Sequence, residues 1–146
     1  MLEIAILHSS LLIAQAQKPS QQFLELKNQL KNYGFEVRLE LPPKRGAYGL
    51  FKASQKKIWI NPVVFDLNIA NPTLIHEAVH AAQFCAGKGK MKALDLKIQP
   101  IKPARRLFLR YSNIHRQDLE REAYAVQTQP NRFQLATNLL NKHCKK

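Results

Sequence analysis

The spacing of apolar residues predicts an amphipathic helix after the first 19 residues. Ser20 is suited to capping its first turn, and Gly34 stands where a C-capping glycine is expected. The apolar positions between them recur every three or four residues, at Phe23, Leu26, Leu30 and Tyr33. We therefore expect one helix between Ser20 and Gly34.

A short β-rich region is predicted next. Residues 35–41 alternate apolar and charged side chains with period two, which indicates a half-buried strand, and Pro42 and Pro43 end it. Residues 48–51 and 57–60 are two further β-prone runs separated by a polar stretch. We expect these two runs to form a hairpin.

The clearest helix of the sequence is predicted over residues 73–86. A capping asparagine and Pro72 precede it, and Gly87 stands just past its end. Two more amphipathic helices are predicted over residues 117–129 and 132–142. The carboxyl-terminal half of the chain is therefore expected to be helical.

The length and composition of the chain favour a single domain. With 146 residues and 45% apolar content, the chain is long enough for one core over 1–146, with residues 1–19 as an N-terminal element of undefined role. The sequence has no run approaching the ~20 apolar residues that a membrane span requires. No membrane span is therefore expected.

The cysteines and the N-terminal residues bear on the compartment. Cys85 and Cys144 are too few for a disulfide framework and fit a reducing compartment, and Cys85 is interpreted as a buried small residue. Residues 14–16, Ala-Gln-Ala, faintly resemble a signal-peptide cleavage site, but Glu3 stands where a basic cluster is usual. We therefore expect a cytoplasmic location rather than secretion.

The chain is strongly basic. Lys and Arg number 23 against 10 Asp and Glu, a formal net charge of +13, which favours an anionic partner. We expect the basic stretch over 87–110 to bind nucleic acid or another polyanion weakly. The alternative is that this charge merely keeps a small protein soluble. The candidate contact residues are Lys88, Lys90, Lys92, Arg105, Arg106 and Arg110.

The helix predicted over 73–86 contains the pattern H-E-x-x-H, formed by His76, Glu77 and His80. Residues four apart lie about 40° apart around a helix, so the two histidines can bind one tetrahedral Zn²⁺ ion. Glu77 points about 100° away from His76, which suits a catalytic general base better than a ligand. We therefore expect one Zn²⁺ per chain. The alternative is an ordinary amphipathic helix whose histidines face solvent or a satisfied pocket.

A zinc site needs a third protein ligand, and the helix predicted over 117–129 offers Glu120 and Glu122. The two side chains are about 200° apart around a helix, so only one can face the metal. Glu122 shares the apolar arc of Leu119 and Val126, where a carboxylate needs a partner to offset its desolvation. Glu122 is therefore the preferred ligand and Glu120 the second choice. The alternative for either is a solvated charge paired with an arginine.

These residues resemble those of the gluzincin metallopeptidases, in particular their minimal single-domain members and SprT-like relatives. The resemblance covers about residues 46–127, including the hairpin, the H-E-x-x-H helix and the helix with Glu122. It implies an α+β zincin-like domain in which a short, mostly antiparallel sheet with an edge hairpin packs on the H-E-x-x-H helix. It also implies that an extended substrate pairs with the strand before that helix, beside Trp59 and Ile60.

The chain departs from the commonest family pattern, because neither glutamate is followed four residues later by aspartate. Asp118 is one candidate for supporting the ligands in its place. Three further residues are candidates for stabilising a developing oxyanion by a hydrogen bond. They are Tyr111, His115 and Tyr124.

Two functions fit these features. The first is a zinc-dependent peptidase that hydrolyses peptide or protein substrates with a metal-activated water and Glu77 as general base. The second is a basic nucleic-acid-binding module with a structural or vestigial zinc site. Structural zinc is normally closed by Cys and His ligands, whereas H-E-x-x-H with one glutamate leaves a position open. The peptidase is therefore the leading hypothesis.

Overall fold

The computed structural model describes residues 18–101 and 116–146, which form five helices and a small three-stranded sheet. The α+β class expected from the sequence is confirmed. The expected element at 1–19 lies almost entirely outside the described residues. The elements are α1 (Gln21–Asn32), β1 (Glu36–Arg38), β2 (Gly49–Lys52), a 3-10 turn (Ala53–Gln55), β3 (Lys57–Ile60), α2 (Val63–Asp66), α3 (Ala70–Ala86), α4 (Gln117–Gln127) and α5 (Arg132–Cys144).

Local capping signals set the ends of α1 as predicted. The hydroxyl of Ser20 accepts a hydrogen bond from the backbone N–H of Phe23. Gly34 follows the helix with a φ of 90°, a conformation that favours glycine. The buried face of α1 consists of Phe23, Leu26 and Leu30, three of the four apolar residues that predicted the helix.

The sheet is mixed, with strand order β1-β3-β2. The predicted hairpin is confirmed, since β2 pairs antiparallel with β3, but β1 pairs parallel with β3. The sheet is therefore not mostly antiparallel. The strand predicted over residues 35–41 is shorter in the structure and comprises only the three residues of β1. The reason is that β3 has four residues, of which Lys57 to Trp59 pair with β1.

The position of β3 corrects the expected role of Trp59 and Ile60. Both hydrogen-bonding edges of β3 are occupied by neighbouring strands, so a substrate cannot pair with it. Ile60 is completely buried, and Trp59 is nearly so. The outer strand that packs on α3 is β2 instead.

Helix α3 is the central element, in contact with α1, α4, α5 and the sheet. It begins at Ala70, earlier than predicted, because the short helix α2 leads almost directly into it. Asn71 is therefore inside the first turn, where its side-chain oxygen accepts a hydrogen bond from the Ser20 hydroxyl. Gly87 ends the helix as predicted. The H-E-x-x-H residues are thus held on a helix that is packed on several sides.

Helices α4 and α5 match the two predicted carboxyl-terminal helices, but the cysteines do not match the prediction. Cys85 and Cys144 form a disulfide between the carboxyl-terminal ends of α3 and α5. Cys85, which was interpreted as a buried small residue, is instead half-buried and disulfide-bonded. The two cysteines are 59 residues apart in sequence, and only the packing of α5 on α3 brings them together.

Within residues 18–101 and 116–146, none of the helices combines the length and the hydrophobicity that a membrane-spanning segment needs.

We expect the disulfide to make a measurable contribution to stability. It joins residues 59 apart in sequence, and closing a loop of that size restricts the unfolded chain. Replacing both cysteines in the variant C85S/C144S should lower the free energy of unfolding by about 2–4 kcal/mol in denaturant titration. A reductant should destabilise the unmodified protein and leave the variant unchanged. Equal unfolding midpoints for the two proteins without reductant would contradict this account.

Candidate metal centre

Three side chains from α3 and α4 converge on one point. His76 Nε2 lies 3.1 Å from Glu120 Oε2, and His80 Nε2 lies 3.0 Å from Glu120 Oε1. The two Nε2 atoms are 3.2 Å apart. His76 and His80 project from the same side of α3 because they are one helical turn apart. The three residues therefore form a compact group of nitrogen and oxygen donors.

This group fits a zinc ion in both chemistry and spacing. Two imidazoles and one carboxylate are a donor set found at catalytic zinc, with a further position left for water or substrate. Ligand bonds of ~2.0–2.2 Å in a tetrahedral arrangement separate neighbouring donor atoms by about 3.3 Å. The two imidazole nitrogens are 3.2 Å apart, and each lies 3.0–3.1 Å from its nearer Glu120 oxygen, which is close to that value. Small adjustments of the side chains are enough to seat the ion.

The third member of the group is Glu120, which corrects the preference for Glu122. The preference assumed that α4 has one buried face, marked by its apolar residues. Both glutamates are in fact 7% exposed, because α4 is buried on two sides. Glu122 has the partners that its burial requires, but they are N–H donors and not a metal site.

Two glutamines that the sequence reasoning missed fix the orientation of the histidines. His76 Nδ1 lies 2.6 Å from Gln127 Oε1, and His80 Nδ1 lies 2.8 Å from Gln83 Oε1. An amide oxygen only accepts hydrogen bonds, so each Nδ1 carries the proton and donates it. Each Nε2 faces Glu120 and donates its proton to that carboxylate in the metal-free site. When that proton is released, the Nε2 lone pair is free for a metal, which is the tautomer that a metal ligand needs.

The available sequence signal for these glutamines was helical spacing. Gln83 follows His80 by three residues, and Gln127 lies seven residues after Glu120, on the same side of α4. Asp118, the support candidate from the sequence, does not serve that role. Its carboxylate is exposed, pairs with Arg116 and accepts a hydrogen bond from the Leu119 backbone N–H.

Glu77 is buried between α3 and the edge strand β2. Its carboxylate accepts a hydrogen bond from the backbone N–H of Phe51. A methyl group added at Gly49 would lie 2.7 Å from Glu77 Oε1, so the glycine leaves the space that this carboxylate occupies. No sequence pattern predicts this contact, because it depends on how β2 packs on α3.

The charges of the site are strongly coupled. Burial raises the pKa of Glu77, and the positive charge of nearby histidines only partly offsets this effect. Burial acts the same way on Glu120, but its hydrogen bonds with His76 and His80 outweigh burial and hold its pKa well below the usual range. Burial disfavours charge on His76, yet Glu120 and Glu77 together raise its pKa. Glu120 is therefore ionised, as a cation ligand must be.

The structure describes only some of the remaining candidate residues. Tyr124 lies at the site, with its ring packed edge-on against His76 at a centroid distance of 4.7 Å. Its role in stabilising an oxyanion stays a prediction. Lys88, Lys90 and Lys92 are exposed on the segment after α3. The other candidates lie outside the described residues: Tyr111, His115, Arg105, Arg106 and Arg110.

Residues 44–145 match the model of a protein family described as a domain of unknown function (DUF8637), and the chain belongs to this family. The matched stretch contains β2, α3 and α4, and therefore every residue of the candidate centre. No curated protein and no solved structure matches the chain. No activity is known for this family, and the candidate centre is therefore the feature that bears on function.

We expect the purified protein to bind one Zn²⁺ per chain through His76, His80 and Glu120. Replacing any of the three by alanine should abolish stoichiometric binding, because each change removes a donor of a three-residue site. Metal content after dialysis against trace zinc measures this. The matched control is Asp118→Ala, an exposed carboxylate in the first turn of α4, which should keep full zinc content. Full zinc content in Glu120→Ala would contradict this ligand set.

Proposed function

We propose that the protein is a zinc-dependent metallopeptidase of the gluzincin type. The observation that supports this most strongly is the convergence of the His76 and His80 Nε2 atoms on the Glu120 carboxylate. Glu77, between the two histidines in sequence, is buried beside them and close enough to interact with both. Two imidazoles and a carboxylate with an adjacent buried glutamate are what zinc-dependent hydrolysis of an amide requires.

The residues divide the chemistry between them. When bound, zinc supplies an acidified water and polarises the carbonyl group of the substrate. Glu77 takes up the proton that the attacking water loses and returns it to the nitrogen of the departing amine. Its raised pKa brings its proton affinity closer to neutral pH, where a general base works best. The Phe51 N–H holds the carboxylate in one position during both transfers.

The proposed substrate is a peptide or protein segment in extended conformation, lying along β2. Within the described sheet, β2 pairs on one side only, with β3. Its backbone passes directly beside Glu77 at Gly49 and Phe51. A peptide that hydrogen-bonds to the outer side of β2 is therefore brought close to the general base. This arrangement replaces the pairing with β3 that the sequence led us to expect.

Nucleic-acid or other polyanion binding is a second candidate function. The supporting observation is that Lys88, Lys90, Lys92 and Lys97 are all exposed on the segment after α3. Such a surface attracts anions without sequence preference. It does not account for a buried His2Glu group with an adjacent glutamate. We therefore propose polyanion binding in addition to the peptidase activity and not as a replacement for it. Its role would be to recruit the peptidase to substrates that are bound to polyanions.

The disulfide changes the inference about the compartment. Disulfides persist in oxidising compartments and are rare in the cytosol. The Cys85–Cys144 bond thus removes the cysteine argument for the cytoplasmic location expected from the sequence. We propose that the protein works in an oxidising compartment. Both cysteines should accordingly resist thiol-specific labelling in unreduced cell extracts.

Replacing Glu77 by glutamine tests the peptidase function directly. Glutamine keeps the size of the side chain but cannot take a proton from water, so hydrolysis of an unstructured protein substrate should fall by about 10²-fold or more. Zinc content should stay at one per chain, because Glu77 is not among the three converging donors. Undiminished hydrolysis in the zinc-loaded variant would contradict the assignment of Glu77 as the base.

The contact between β2 and Glu77 gives an independent test. Gly49→Ala places a methyl group 2.7 Å from Glu77 Oε1 and must displace the carboxylate or the strand. We expect hydrolysis to fall about tenfold or more while zinc is retained, since a misplacement of ~1 Å has an effect of this size or larger. Lys52→Ala, at the exposed end of the same strand, is the control and should keep its activity. Equal activity of Gly49→Ala and the unmodified protein would show that the contact is unimportant.

A further inference from the structure

Glu122 holds a buried carboxylate that the proposed chemistry does not use. Its oxygens accept three hydrogen bonds, from Gln83 Nε2 at 3.0 Å, Leu94 N at 2.8 Å and Leu96 N at 3.0 Å. These donors come from α3 and from the segment that follows it. Three N–H donors offset much of the cost of burying the charge. They also hold the carboxylate in one position.

The bonds of Gln83 determine which way its amide group points. Gln83 Nε2 lies within hydrogen-bond distance of two groups that only accept, the Leu119 carbonyl at 3.0 Å and the Glu122 carboxylate. The amide nitrogen must therefore face α4. The amide oxygen then faces His80 Nδ1, at 2.8 Å. Gln83 is completely buried, so water does not compete for these bonds.

We propose that Glu122 is a positioning residue for the metal centre, acting on His80 through Gln83. By holding the Gln83 amide nitrogen, Glu122 keeps the amide oxygen on His80 Nδ1. The proton of His80 then stays on Nδ1, and the Nε2 lone pair faces the metal site. This inference rests on the proposed metal function, because it assigns Glu122 to that same site. It also explains why a glutamate is buried next to the ligand Glu120 without binding the metal itself.

The other histidine provides an internal control. His76 is oriented by Gln127 of α4, which is not among the hydrogen-bond donors of Glu122. A change at Glu122 that acts through Gln83 should therefore release the Nδ1 proton of His80, while His76 keeps its Nδ1–H bond to Gln127. A general loss of structure in α4 would affect both histidines, because Glu120 and Gln127 both belong to that helix.

The test uses Glu122→Gln in the full chain. Glutamine removes the negative charge of Glu122, so the bond that holds the Gln83 amide nitrogen is weakened when the new amide oxygen faces Gln83 and lost when the NH2 group does. We expect the nitrogen chemical shifts of His80 in the metal-free protein, above the titration range of histidine, to show a loss of the Nδ1–H tautomer. His76 should keep its Nδ1–H tautomer, because its bond to Gln127 is not altered. Competition with a chelator should show zinc binding weakened by about 10- to 100-fold.

A double-mutant cycle separates action through Gln83 from a merely structural role. Gln83→Met keeps the side-chain volume but removes both amide groups. Adding Glu122→Gln to Gln83→Met should weaken zinc binding little further, because the connection is already broken. The matched cycle of Gln127→Met with Glu122→Gln should come closer to additivity, since Gln127 is bonded to His76 and not to Gln83 or Glu122. If Glu122→Gln does not fold, Glu122→Asp, which withdraws the carboxylate from Gln83, takes its place.

Two results would overturn the inference. One is an unchanged Nδ1–H tautomer of His80 in the Glu122 variant, and the other is additivity of the Gln83 and Glu122 changes. The tautomer is measured without metal, so it tests the positioning role even if the protein does not bind zinc or hydrolyse peptides. Failure of the proposed function appears separately, as an unmodified protein that binds no zinc.

Discussion

The contact between the Glu120 carboxylate and the two imidazoles of α3 is the interaction around which the domain is organised. A buried carboxylate is costly unless charged or hydrogen-bonding partners surround it. Here the partners come from His76 and His80, which require α3 and α4 to pack in one register. The same register brings Gln127 to His76 and Gln83 to Glu122. The polar groups of the interface therefore form one connected set, and the candidate metal site lies at its centre.

Much of the fold could be predicted from the sequence because the signals are local. The cap at Ser20, the stop at Gly87 and the two β-prone runs of the hairpin each depend on residues close in sequence. The helical placement of His76 and His80 follows from the same kind of signal, since four-residue spacing fixes their common side. The general architecture and two of the three converging donors could thus be predicted without tertiary information.

The choice between Glu120 and Glu122 could not be made in this way. An apolar arc identifies the inward side of a helix only when the helix has one buried side, whereas α4 is buried on two. The central position of β3 and the Cys85–Cys144 bond depend on contacts between residues distant in sequence. The expectation that a carboxylate on the apolar side of α4 needs a partner was nevertheless correct. Glu122 does have compensating partners, and they are N–H donors rather than a metal.

The most direct test of the account is a crystal structure of the protein with zinc, measured at the zinc absorption edge. The account predicts one strong anomalous peak within about 2.0–2.2 Å of the Nε2 atoms of His76 and His80 and of a Glu120 carboxylate oxygen. Glu122 should still bind Gln83 and stand apart from the ion. No peak between the two histidines, or a peak bound by Glu122 in place of Glu120, would contradict the account.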